Sequence, residues 1–120
     1  MAVTPWSLLD TAKIPNPGGE LRLFQRGKEF SINLGARGEL MNSRAHDSED
    51  ALASRSCARI AMRPRARVLI GGLGMGYTLA AALKQLRADA EVIIAELLEA
   101  VVEWNRGPLG DLAGHPLDDP

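Results

Sequence analysis

The stretch VLIGGLGMGYTLAAAL, Val68 to Leu83, decides how the rest of the chain is read. It opens as a short apolar run, becomes glycine-rich, and continues with apolar residues at helical spacing. A strand that passes through a glycine-rich turn into a helix is how a nucleotide-binding element reads. Gly72, Gly74 and Gly76 give G-x-G-x-G. Glycine lets the chain turn sharply out of the strand and lets a ligand approach the backbone with no Cβ in the way. The helix that follows offers unsatisfied N–H groups and a positive dipole end.

A dinucleotide fingerprint has the spacing G-x-G-x-x-G. Counted from Gly72, its last glycine place holds Tyr77, which disfavours a nicotinamide-dependent oxidoreductase. The tighter spacing is closer to S-adenosylmethionine-type sites, where the turn accommodates the amino-acid part of the ligand. Glu96 is the second piece. It lies just beyond the apolar run Glu91 to Ala95, roughly twenty residues after the last glycine. An acid at that place accepts hydrogen bonds from ribose hydroxyls, in NAD and adenosyl ligands alike.

Outward from the turn, the spacing predicts a helix over Tyr77–Leu86, a strand over Glu91–Ala95 and a helix over Glu99–Asn105 that ends at Gly107-Pro108. The order strand–helix–strand–helix predicts a parallel α/β sheet. Upstream, Asp47 or Ser48 is placed to cap a helix, with Glu49 and Asp50 in its first turn, and Pro64 stops it. Leu52, Ala53, Cys57, Ile60 and Ala61 share its apolar face, and Cys57 reads as a buried structural thiol. Arg55, Arg59 and Arg63 share another face. With Arg65 and Arg67 they form a basic run without an acid between them. Few aromatic residues interleave, so the run reads as a solvated surface and not as a nucleic-acid interface.

The N-terminal part reads as β-structure. Leu21 to Arg26, Glu29 to Leu34 and Glu39 to Asn42 are short strands broken at Arg26-Gly27-Lys28 and at Gly35-Ala36-Arg37-Gly38. They predict a three-stranded antiparallel meander. Met1 to Glu20 carries three prolines and ends in PNPGG; it reads as an irregular arm with a turn, pinned by Trp6, Leu8 and Leu9. The predicted fold class is α/β, in two parts. Residues 1–45 are the arm and meander, and residues 46–120 a partial Rossmann-like nucleotide-binding domain, the first βαβα half of such a sheet.

VLIGGLGMGYTLAAAL followed by VIIAELLEAVVEWNRG, with GELMNSRAHDSEDALA upstream, resembles the spermidine synthase (polyamine aminopropyltransferase) family and its spermidine-synthase-like methyltransferase relatives. The resemblance covers roughly Leu21 to Pro120. It implies a small β-domain followed by a methyltransferase-type Rossmann domain, and transfer of a group from S-adenosylmethionine or decarboxylated S-adenosylmethionine. Carried over by position, Gly72, Gly74 and Gly76, with Met75 and Tyr77 beside them, would line the methionine part. Glu96 would hold the ribose, and His46 and Glu49 would sit on the substrate side at the mouth of the site. Two places depart from the family. Met75 stands where aminopropyltransferases carry an aspartate within the turn, and Ile70 where methyltransferases often have an acid. Met75 argues against simple aminopropyl transfer.

The family's third strand is expected where this sequence reaches His115–Pro120. The chain is therefore read as the N-terminal half of such a transferase, weakly active or inactive alone, with the catalytic residues unassigned. Its first Rossmann strand would be an open apolar edge, which promotes pairing into a homodimer or higher oligomer. A non-catalytic oligomerising remnant is the second reading. Composition agrees with an ordinary globular chain: 120 residues, 46% hydrophobic, 24% charged, net charge −1. One cysteine permits no internal disulfide and suits a reducing compartment. No apolar run approaches the roughly 18 residues of a membrane span, and no leader is legible. A cytoplasmic protein without membrane or nucleic-acid partner is expected. His46 and His115 show no metal-ligand pattern, so no metal is expected.

Overall fold

Apolar alternation builds the sheet of the first unit, Met1–Ala45. The computed structural model describes residues 4–15 and 18–120, with Ala36 described by its backbone alone. Strands β1 (Ser7–Lys13), β2 (Glu20–Arg26), β3 (Glu29–Leu34) and β4 (Glu39–Asn42) form one antiparallel sheet in that order. Leu23 lies opposite Ile32 across β2 and β3. These two side chains are fully buried, and Leu21 and Phe30 on the same strands are nearly so. Each such side chain removed from water contributes about 1.5–3 kcal/mol.

The expected three-stranded meander is a four-stranded sheet, because the arm holds β1. Pairing with β2 slips between Leu8 and Asp10, leaving Leu9 as the extra residue. A bulge of this kind reverses the side-chain alternation, so no period of two survives in the sequence. The anchor also differs from expectation. Leu8 and Leu9 stay largely exposed, whereas Trp6 lies under the Arg26 guanidinium, 4.4 Å from its ring centroid. The backbone ladder to β2 holds the segment. The Ile14 amide donates to the Gly19 carbonyl at 2.9 Å, closing the hairpin. The predicted PNPGG turn falls partly on residues 16–17, outside the described residues.

The second unit, His46–Pro120, contains α1 (Asp47–Ala58), β5 (Arg67–Gly71), α2 (Tyr77–Gln85), β6 (Glu91–Ala95) and α3 (Glu99–Arg106). Two 3-10 turns follow, Gly110–Ala113 and Pro116–Asp118. β5 and β6 are parallel, with Val68 beside Val92 and Ile70 beside Ile94. The fold is thus mixed α/β, with a four-stranded antiparallel sheet and a parallel pair.

Two expectations for α1 need correction. His46 precedes the helix and no side chain caps it, so neither Asp47 nor Ser48 is the cap. Asp47, Glu49 and Asp50 occupy the first turn instead, where acids complement the helix dipole. The helix also ends at Ala58, well before Pro64. Beyond it, short-range bonds from the Ile60 amide to Cys57 and from the Arg63 amide to Ile60 make turns. Proline disfavours helical geometry only in the residue before it, here Arg63, so it does not set the end at Ala58. Ala53 and Cys57 are buried as expected, but Leu52 is 62% exposed.

Parallel strands are usually covered on both faces. Here Val68, Ile70, Val92 and Ile94 are the more buried set, while Leu69 and Ile93, neighbours across the pair, face out. Among the described residues β5 pairs with β6 alone. No helix among them is long and apolar enough to cross a membrane.

Candidate functional site

The glycine turn sits where β5 gives way to α2. Gly72, Gly74 and Gly76 all have positive φ, at 88°, 55° and 86°, a region that costs other residues about 1–2 kcal/mol. The intervening side chains anchor the turn, since Leu73 and Met75 are both buried. The Met75 thioether, expected beside the ligand, is therefore packed inside the protein. The three glycines also differ in surroundings. Gly72 is exposed, and a Cβ there would meet no atom within 4 Å. Gly76 is buried, and a Cβ there would lie 2.9 Å from Asn105 Oδ1 and 3.2 Å from Pro116 Cγ. Gly72 leaves room for a ligand, whereas Gly76 leaves room for α3 and the turn after it.

Glu96 is brought to the turn from the end of β6. Its Oε1 accepts the Leu73 amide at 2.8 Å, and its Oε2 accepts the Leu98 amide at 3.0 Å. The Gly72 amide donates to the Ala95 carbonyl at 2.7 Å. The expected ribose acid is therefore also a clamp between the turn and the segment after β6. An ionised carboxylate has about four acceptor positions, so two remain for other donors.

On the far side of the turn, His46 and Tyr77 stack, with ring centroids 3.8 Å apart and planes 8° from parallel. His46 Nδ1 lies 3.0 Å from Asp50 Oδ2. Burial pushes the Tyr77 hydroxyl above its usual pKa, and the charges of Asp50 and Glu49 push it further. The structure thus brings His46 and Tyr77 into contact and adds Asp50, whereas Glu49, in the first turn of α1, reaches Tyr77 only through its charge. A hollow of about 610 Å³ runs from this cluster along α2 past Ser54, Ala80 and Lys84. Trp104 is buried in α3, as packing would have it. Among the described residues no group of three or more His, Cys, Asp or Glu side chains is placed to hold a metal ion.

Asn105 was not legible as part of this region. It is 3% exposed, and its Nδ2 donates to the Gly74 carbonyl at 2.7 Å and to the Val101 carbonyl at 2.9 Å. One signal existed: Asn105 falls four residues after Val101, on the apolar face of α3, where a polar residue needs a partner. Asp50 carried a similar signal, four residues after His46. No protein-family model matches the chain, and no curated protein matches it.

Proposed function

We propose that the unit His46–Pro120 is a Rossmann-like ligand-binding unit of a spermidine-synthase-like transferase that uses S-adenosylmethionine or its decarboxylated form. The observation that carries this reading is the Glu96–Leu73 hydrogen bond at 2.8 Å. It joins the glycine turn to the acid at the carboxyl ends of two parallel strands, which is where open α/β sheets bind ligands. The open approach at Gly72 gives the amino-acid part of the ligand a place, and the spare acceptor positions of Glu96 suit ribose hydroxyls. His46 and Glu49 then stand on the acceptor side. The cytoplasm is the proposed compartment.

Calorimetry with S-adenosylmethionine and methylthioadenosine tests this reading. Binding should be lost in Gly74→Val and Glu96→Ala, and NAD should not compete. No heat at millimolar ligand overturns it. A second reading, an oligomerising module without catalysis, is favoured by the outward-facing Leu69 and Ile93 and by the edge of β5, which is unpaired among the described residues. Self-association without any ligand heat would establish that alternative.

A further inference from the structure

A peptide unit is planar and trans, so its carbonyl oxygen and the amide hydrogen of the next residue point in opposite directions. This fixes where two amides of the turn face. The Gly74 carbonyl is drawn toward α3 by Asn105 Nδ2, and the Met75 amide of the same unit is therefore turned away from α3. The Leu73 carbonyl accepts the Gly76 amide at 2.9 Å, which turns the Gly74 amide away from Gly76. Among the described residues neither the Gly74 nor the Met75 amide donates a hydrogen bond to protein. Successive unclaimed amides where a left-handed residue, here Gly74 at φ 55°, adjoins one that is not left-handed make a concavity that suits an anionic group.

We infer that Asn105 is a positioning residue of the proposed ligand site: it aims the Met75 amide, beside that of Gly74, at the carboxylate of a bound S-adenosylmethionine. The inference rests on the function proposed above and goes further, because it chooses between the two ligands. The decarboxylated form has no carboxylate for these donors; both forms carry an ammonium, so the carboxylate alone makes the difference. Asn105 acts through the backbone. Both its amide hydrogens are spent on carbonyls, and its Oδ1 occupies the space that Gly76 leaves open.

The test uses the full chain and three probes: S-adenosylmethionine, decarboxylated S-adenosylmethionine and methylthioadenosine, which keeps the adenosine and lacks the amino acid. The wild-type chain should bind S-adenosylmethionine most tightly. Asn105→Ala should weaken S-adenosylmethionine about tenfold or more, the scale of a lost charge-assisted hydrogen bond. Methylthioadenosine should change by less than about twofold, the loss being confined to the carboxylate contact. An equal loss for both probes would mean that Asn105 only supports the fold, and would overturn the inference. So would a wild-type chain that prefers the decarboxylated form. Should Asn105→Ala fail to fold, the wild-type amide resonances decide. Those of Gly74 and Met75 must move with S-adenosylmethionine and not with methylthioadenosine; equal movement refutes the assignment. Methylthioadenosine binding with no gain for S-adenosylmethionine removes this inference alone, whereas no binding of any probe removes the proposed function with it.

Discussion

At Gly76 two requirements meet in one residue. Its φ of 86° excludes most side chains, and Asn105 Oδ1 already occupies the space a Cβ would need. Gly27 shares the first requirement, with φ of 59°, but a Cβ there meets nothing within 4 Å. The two glycines separate backbone strain from steric conflict. Gly27→Ala should cost about 1 kcal/mol, the strain alone. Gly76→Ala should cost about 3 kcal/mol, because Asn105 must move and its hydrogen bonds to Gly74 and Val101 are lost or bent. Denaturant melts of the two variants measure the difference; equal costs would mean that Asn105 yields without penalty.

At the scale of elements, strands with an unbroken pattern were readable. β3, β4 and β6 begin and end where alternation and glycine breaks place them, and β5 starts one residue earlier than the apolar run from Val68, at Arg67. β1 was not readable, because its bulge at Leu9 cancels the alternation and its side chains are exposed. The end of α1 was misplaced because a proline marks where a helix cannot continue, not where it stops. The glycine turn and Glu96 were legible as a pair, since their spacing along the chain carries the signal. The bond from Asn105 to Gly74 was not, since it joins residues that only tertiary packing brings together. Between β3 and β4 a further contact has a measurable effect. The Ser31 hydroxyl and the Asn42 side-chain amide bond to the Glu39 carboxylate, and these bonds, with the Arg44 charge, hold its pKa below the ordinary 4.5. A pKa lowered by folding contributes stability that is fully present above about 4.5 and lost as pH falls through the lowered value. Acid titration of the Met1–Ala45 unit should show this loss, and Ser31→Ala should flatten it. An unchanged acid profile in that variant would rule out the Ser31 contribution.

At the scale of the whole molecule, the parallel pair of the His46–Pro120 unit carries apolar side chains that stay in water. Leu69 is 69% exposed and lies beside Ile93, itself 41% exposed. Neighbouring apolar side chains in water, next to a strand edge unpaired among the described residues, favour contact with a second copy of the chain. Sedimentation velocity should find an association that grows with concentration, and Leu69→Lys should shift it toward monomer by about tenfold in dissociation constant. A wild-type chain that stays monomeric at high concentration would remove the oligomeric reading.

The buried thiol of Cys57 gives the His46–Pro120 unit its own clock. Cys57 is 3% exposed on α1, and burial lifts its pKa above the ordinary 9.0. Both effects silence it toward disulfide reagents while α1 stays in place. As the chain's single cysteine, it makes the colour released by such a reagent a count of openings at one known position. Labelling at pH 8 should be far slower than for a free thiol and should quicken with denaturant and in Gly76→Ala. Labelling of the native chain at the free-thiol rate would mean that α1 does not shield Cys57.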